Sequence, residues 1–170
     1  LTFAESFERF GENLSESAPT LMFCVPRFFE KARAKIEAQL YRAPPLKKKL
    51  FAWAMGVGSR TARAGREKRS SPLWDQVQLL AARKLVFTKV QKRLGGRLKF
   101  AICGGAPLSA ELGEYFEAIG VTVLEGYGLT ETCAPVAINT PDALKYGSVG
   151  RPLPDVTIKI ADDGEILVKS

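Results

Sequence analysis

Apolar side chains recur along this chain first with helical and later with mixed spacing, and that change organises it. Phe3, Phe7 and Phe10 stand four and three positions apart, which predicts an amphipathic helix over residues 1–13. Leu21-Met22-Phe23-Cys24-Val25 is an unbroken apolar run closed by Pro26, the pattern of a short buried strand. Pro26 suits the first turn of a helix, where its missing N–H costs nothing. Phe29, Ala32, Ile36 and Leu40 then share one face while Lys31, Arg33, Lys35 and Glu37 point elsewhere, and Pro44-Pro45 ends the helix. Leu50, Ala54 and Val57 predict a further helix over about 46–61, weakened by Gly56 and Gly58. Residues 58–72, GSRTARAGREKRSSP, are polar and basic and predict an exposed, poorly ordered loop. Leu73, Val77 and Leu80, then Val86, Val90 and Leu94, predict a long helix over 73–94 that Gly95-Gly96 stops.

From residue 98 the texture changes. Residues 98–103 read as a strand running into Gly104-Gly105-Ala106-Pro107, and Ser109 is a good N-cap for a helix over 110–119 that Gly120 ends. Val121-Thr122-Val123-Leu124 is a second strand, running into a glycine loop at 126–132. Strand, glycine loop, helix, strand and glycine loop make a βαβ unit, whose loops fall at strand C-terminal ends, where open α/β sheets hold ligands. Residues 147–154 read as a loop, and 156–160 with 165–168 as a β-hairpin turning at Asp162-Asp163-Gly164. The expected fold is α/β: a mostly parallel sheet flanked by helices, with a C-terminal β-hairpin. It divides into a basic helical section 1–97 with one strand, a βαβ unit 98–146 and a loop-and-hairpin section 147–170, all of one partial domain.

Charge follows the same division. Residues 27–99 carry 20 basic and four acidic side chains, whereas residues 100–170 carry four basic and ten acidic, within a net charge of +7. Such a section suits either solvated helix faces or an anionic surface, membrane or nucleic acid. Its aromatics, such as Phe29 and Trp53, fit helix core faces better than a stacking platform, so no nucleic-acid partner is expected. The 170 residues hold no histidine, which excludes a Ser-His-Asp triad, a Cys-His pair or His-ligated zinc built from this chain alone. Cys24, Cys103 and Cys133 are widely spaced and are expected to be lone thiols packed as small apolar groups in a reducing compartment. No run is long enough to span a bilayer and no signal peptide is visible. The absent initial Met suggests a piece of something longer.

Candidate chemistry concentrates in the two glycine segments. There is no G-x-x-x-x-G-K-[ST] loop, and Glu131 stands where a dinucleotide fingerprint needs its third glycine. What remains is Tyr127, an aromatic between Gly126 and Gly128 able to lie against a base, with Thr130 to meet a phosphate oxygen and Glu131 to offer Mg²⁺ a carboxylate. Gly104-Gly105-Ala106-Pro107 would form a second wall, and tight βα turns without a ligand are the plainer reading.

GGAPLS at 104–109, EGYGLTET at 125–132 and GSVGRPLPDVTIKIADDGEILV at 147–168 resemble the adenylate-forming superfamily of acyl-CoA synthetases, luciferases and peptide-synthetase adenylation domains. PTLMFCVPRFFEKARAKI at 19–36 and LGGRLKFAICGGAPLS at 94–109 resemble its long-chain fatty acid–CoA ligase branch. The resemblance implies a ligase using ATP, Mg²⁺ and CoA: a fatty acid carboxylate attacks the α-phosphate to give acyl-AMP, and the CoA thiol then takes the acyl group. It implies ATP/AMP binding by Gly104, Gly105, Ala106, Pro107, Gly126, Tyr127, Gly128, Leu129 and Thr130. It further implies catalytic roles for Thr130 and Glu131, Mg²⁺ on Glu131, and an acyl site bordered by Gly105, Gly128, Val149 and Gly150. The family's phosphate loop, its His-bearing segment, the ribose-binding Asp and the small domain with the catalytic Lys have no counterpart here. The chain is therefore expected to be an internal fragment of the large N-terminal domain, inert alone, from a cytoplasmic enzyme. The alternatives are another adenylate-forming enzyme, for aryl or amino acids, or a basic module binding a membrane surface or nucleic acid. Peripheral contact with an anionic membrane at its inner face is compatible with the first reading too.

Overall fold

A computed structural model describes residues 2–6 and 9–169. A five-stranded sheet runs β1 (Leu21–Cys24), β2 (Phe100–Cys103), β3 (Thr122–Leu129), β4 (Ala134–Ile138), β5 (Arg151–Pro152), in that spatial order. The first three strands are parallel, and β4 and β5 continue antiparallel. The helices are α1 (Phe10–Ser17), α2 (Pro26–Tyr41), α3 (Pro45–Arg66), α4 (Leu73–Ala82), α5 (Thr88–Arg93) and α6 (Ala110–Ala118), with a π-helical turn, Arg83–Phe87, joining α4 to α5. β6 (Thr157–Ile160) and β7 (Ile166–Lys169) form a separate hairpin.

One apolar core lies between the inner sheet face and α1, α2 and α6, built on Met22, Phe29, Ala101, Cys103, Phe116 and Val123. Phe10, Phe28, Phe29 and Phe116 form a chain of ring contacts 4.7–5.1 Å apart, so α1, α2 and α6 share a single aromatic seam. Full burial of Phe29 and of Phe116 contributes about 1.5–3 kcal/mol each. A second core joins α3 to the α4–π–α5 segment through Ala54, Ala82, Val86, Phe87 and Ile119. Tyr115 touches both cores.

Pro26 opens α2 and Ser109 caps α6, its hydroxyl accepting the Leu112 N–H at 3.2 Å, as the residue types predict. Other expectations are corrected. The first helix begins at Phe10, not residue 1: the backbone N–H of Glu5 donates to Asn13 Oδ1 at 3.1 Å, folding residues 2–6 back over α1, and Phe3 is exposed. Phe7 lies outside the described residues. β1 is an edge strand, and only Met22 of its four residues is fully buried; Leu21 and Phe23 face outward.

Most of the expected loop 58–72 is helix, because α3 continues to Arg66. Gly58, which looks like a breaker, is a packing site: a Cβ there would stand 2.2 Å from the Ala118 carbonyl oxygen, so only glycine lets α3 approach α6 this closely. Arg66 then holds the end of α3, pairing with Glu114 at 2.9 Å and Glu117 at 3.1 Å and lying 5.0 Å over the Tyr146 ring. The apolar face of the 73–94 segment is also divided. Leu73, Val77 and Leu80 point to solvent, while Val86 and Leu94 are buried. The π turn supplies an extra residue and rephases the helix between the two halves. Beside that second core, α4 also meets α3 through polar contacts, Trp53 Nε1 donating to Gln78 at 2.9 Å and Arg60 pairing with Asp75 at 2.9 Å.

The glycines at 126 and 128 lie in β3, not in a loop; β3 continues to Leu129, and the turn comes at Thr130–Thr132 with Cys133 left-handed at φ 58°. Strands β4 and β5, the latter within the expected loop 147–154, were not foreseen. Of the thiols, Cys103 is buried and Cys24 beside it is half-buried, its thiol pushed far up by hydrogen bonding to Cys103 and by burial. Cys133 is exposed at the turn, so it is not a packed apolar group. Among the described residues no helix is long and apolar enough to cross a membrane.

Gly58→Ala is expected to destabilise the chain by about 1–3 kcal/mol in urea unfolding, because the backbone clash outweighs the ~1 kcal/mol gain in helix propensity. A second test concerns Glu117, whose carboxyl burial pushes above its ordinary value more strongly than Arg66 pulls it down. A raised carboxyl favours the folded state below its unfolded value, and that advantage fades as pH rises toward the folded value. Glu117→Gln should therefore gain on the wild type as pH rises from about 4 to about 7, and equal slopes in the two proteins would refute it.

Candidate active site

The βα turn after β2 and the β3–β4 hairpin meet at one end of the sheet. Cys103 pairs with Glu125, so Gly104 follows β2 just where Gly126 follows on β3. A Cβ on Gly104 would lie 3.3 Å from the Gly126 carbonyl oxygen, so the two segments touch through their backbones. Gly105 adopts φ +80°, turning the chain away from the sheet with Ala106 and Pro107 exposed. The closest joint is a side chain that the motif reading passed over. Glu125 is 6% exposed and its Oε1 accepts the Leu108 N–H at 3.0 Å, while its Oε2 is buried with no partner among the described residues. Glu125 thus fixes the turn carrying Gly104–Pro107 to the strand carrying Gly126–Leu129.

Beyond Gly126, β3 pairs with β4, with a bulge between Tyr127 and Gly128. A bulge re-aims side chains and increases local twist. Tyr127 is half-buried, and Gly128, Leu129, Thr130 and Glu131 are exposed. The turn is closed by Thr132, whose hydroxyl accepts the Leu129 N–H at 3.0 Å and donates to the Leu129 carbonyl at 2.8 Å. Thr130 and Glu131 are thereby carried, both exposed, on a three-residue turn.

Val149 and Gly150 reach the same sheet through a different device. Asn139 is fully buried, its backbone N–H donates to the Glu125 carbonyl at 2.9 Å, and its side chain bonds Lys145 and Ser148. Gly150, at φ +87°, passes so close to Ile138 that a Cβ would lie 2.2 Å from its carbonyl. The 140–150 loop is thus fastened to the end of β4, one strand from Tyr127. Asn139 was also missed; the Asn-Thr-Pro run marks a turn but not a buried anchor. The expected site residues therefore belong to the turn after β2, to β3 and the turn that follows it, and, for Val149 and Gly150, to the loop between β4 and β5. A groove of about 840 Å³ lies elsewhere, between α1, α2 and α5, floored by Phe10, Leu14, Phe28 and Ile36.

A Mg²⁺ ion takes one or two protein carboxylates and completes its shell with water and phosphate oxygens. No cluster of three or more acidic, Cys or His ligands occurs among the described residues, so Glu131 as a single exposed carboxylate beside a hydroxyl fits a phosphate-bound ion but not a stand-alone metal site.

The parallel strands of this α/β sheet end in two abutting glycine segments, one bearing an aromatic, a hydroxyl and a carboxylate. The chain belongs to the AMP-binding enzyme family, whose pattern matches residues 2–169. It is 40% identical over 154 residues to the long-chain-fatty-acid–CoA ligase FadD15 of Mycobacterium bovis, covering 89% of this chain and 25% of that protein. It is 34% identical over 152 residues to long chain acyl-CoA synthetase 4 of Arabidopsis thaliana, covering 88% and 22%. The chain thus spans about a quarter of the length of the curated relatives it matches. In fold it is similar to the anthranilate CoA ligase AuaEII (TM-score 0.53, 18% identity, 99% of this chain and 25% of that one). It is likewise similar to a benzoate CoA ligase of Burkholderia xenovorans (TM-score 0.50, 21% identity, 94% and 22%).

Glu125→Ala should cost about 2–3 kcal/mol, because it leaves the buried Leu108 N–H unpaired and a void beside it. Glu125→Gln retains an acceptor and should lose less than about 1 kcal/mol. Urea unfolding of both variants, with hydrogen exchange at Leu108, separates the outcomes; equal losses would disprove the anchoring role.

Proposed function

We propose that this chain is the nucleotide- and acyl-facing part of an AMP-forming long-chain fatty acid–CoA ligase. The observation that carries the reading is the meeting of the Gly104–Leu108 turn with the Gly126–Glu131 segment, braced by Glu125, in a member of the AMP-binding enzyme family. The long-chain specificity is supported by relatives at 34–40% identity over nearly nine-tenths of the chain.

In this reading the fatty acid carboxylate attacks the α-phosphorus of ATP and pyrophosphate leaves. The CoA thiol next attacks the acyl carbon and AMP leaves. Gly104, Gly105, Ala106 and Pro107 flank the adenine on one side. Tyr127 stacks against it, with Gly126, Gly128 and Leu129 keeping the backbone close. Thr130 donates to a phosphate oxygen. Glu131 holds Mg²⁺, which when bound neutralises charge building on the phosphates. Gly105, Gly128, Val149 and Gly150 border the acyl chain. Donors fixed by β3 and its turn need no reorganisation as charge develops, and that is the protein's usual contribution to such a step. A reaction that consumes ATP and CoA supports a cytoplasmic setting.

The test is AMP release from ATP, CoA and C12–C18 acids by the intact parent protein. Glu131→Gln should lower kcat at least about 10²-fold, the scale of losing one oriented group at the reacting charge. Tyr127→Ala should chiefly raise the KM for ATP. The 170 residues alone should release no AMP. A preference for aryl acids over C12–C18 acids would overturn the long-chain assignment, and full activity in Glu131→Gln would overturn the site.

A further inference from the structure

The ladder between β1 and β2 ends on two cysteines. In its parallel register Met22 lies beside Ala101 and Cys24 beside Cys103. Successive residues of a strand face opposite sides, so Cys24 shares the inner face with buried Met22, and Cys103 shares it with buried Ala101. Cys103 is fully buried, and Cys24 packs against the same core from a half-buried position. The Cys24 thiol hydrogen-bonds Cys103, so the two side chains are turned toward each other. Both are free thiols, and Cys133 stands apart on the turn after β3.

Residues paired directly across neighbouring strands lie about 4.8 Å apart, within the roughly 4.4–6.8 Å between Cα atoms that disulfides span. The pair can therefore be joined without moving either strand out of the sheet. The reacting groups hold each other in place within the ladder, and a small oxidant has only to reach Cys24. The same rung bears on the turn that follows it. The Gly104 N–H donates to the Cys24 carbonyl at 3.2 Å, so the first residue of the glycine turn hangs from this position of β1.

We infer that Cys24 and Cys103 are an oxidation site, a dithiol that a hydroperoxide converts to a disulfide tying β1 to β2 at the foot of the Gly104–Pro107 turn. With hydrogen peroxide the Cys24 sulfur attacks the O–O bond, becomes a sulfenic acid and releases one water. The Cys103 sulfur then attacks Cys24, gives up its proton and expels a second water, so two thiols and one peroxide yield one disulfide. Hydrogen bonding to Cys103 and burial push the Cys24 thiol far up, which makes it a slow nucleophile at neutral pH and a faster one as pH rises. The site thus responds to sustained oxidant and ignores traces. It stands independently of the ligase reading, and its test uses no enzyme activity.

The intact parent protein carrying Cys133→Ser is treated with hydrogen peroxide, blocked with iodoacetamide and cut with trypsin and a glutamate-specific protease. Residues 17–27 should be recovered joined to residues 100–111, two hydrogens lighter than their sum, and dithiothreitol should part them. The joined fraction should be at least about tenfold greater in native buffer than in strong urea, where the register that holds the thiols together is lost. It should form at least about tenfold faster near pH 9 than near pH 7. Cys24→Ser should leave the buried Cys103 reduced, and Cys103→Ser should carry Cys24 on to the sulfinic acid with no cross-link. Exchange at the Gly104 amide should slow once the bond forms, and an unchanged rate would overturn the tie to the turn. Recovery of both thiols free, of Cys24 as sulfinic acid beside a reduced Cys103, or of the joined segments from urea alone would each overturn the inference.

Discussion

The side chain of Glu125, held in the interior by the Leu108 N–H, is the joint on which the glycine-turn end of this sheet depends. Strands β2 and β3 would lie side by side without it, since their backbones pair. The chain leaving β2, however, has to turn at Gly105 toward α6, and nothing in a parallel ladder dictates where that turn rests. A buried side-chain oxygen that accepts from one amide supplies the direction. The same residue's carbonyl receives the Asn139 N–H, so the exit of β4 is fixed to the same point. Two loops distant in sequence are therefore set by a single residue's two ends, and the glycines beside it are small because the backbones already occupy the space.

Much of this was legible in the chain. Pro26, Ser109, Gly95-Gly96 and Gly120 mark their boundaries by mechanisms local to a few residues, and they sit in the structure where those mechanisms require. The βαβ order followed from strand and helix lengths. The segments carrying Tyr127, Thr130 and Glu131 stand out because glycine, an aromatic, a hydroxyl and an acid lie close together in a pattern that resembles the adenylate-forming superfamily, although tight turns alone would account for the glycines.

What escaped the sequence depends on distant partners. Gly58 and the arginines after it read as loop residues until α6 is present to receive them. Leu73, Val77 and Leu80 have perfect helical spacing, which reveals a stripe but not whether it faces a core or solvent. Phasing across the π turn decides that, and no local signal marks the turn. Glu125 looks like a strand acid of no consequence, since its importance lies in an amide 17 positions earlier. The continuation of β3 through Gly126 and Gly128 is likewise owed to β4, whose pairing offsets the weak strand preference of glycine.

The far face of β1 has a practical meaning for anyone handling this molecule. Phe23 and Leu21 stand outward on a strand whose outer edge has no neighbouring strand among the described residues, so the same region offers greasy side chains and open backbone hydrogen-bond groups together. That combination is the template from which strands of separate molecules add to one another. The surplus of seven positive charges opposes it by keeping molecules apart. Colloidal behaviour is thus a contest between one sticky strand and a long-range repulsion, and added salt weakens only the repulsion.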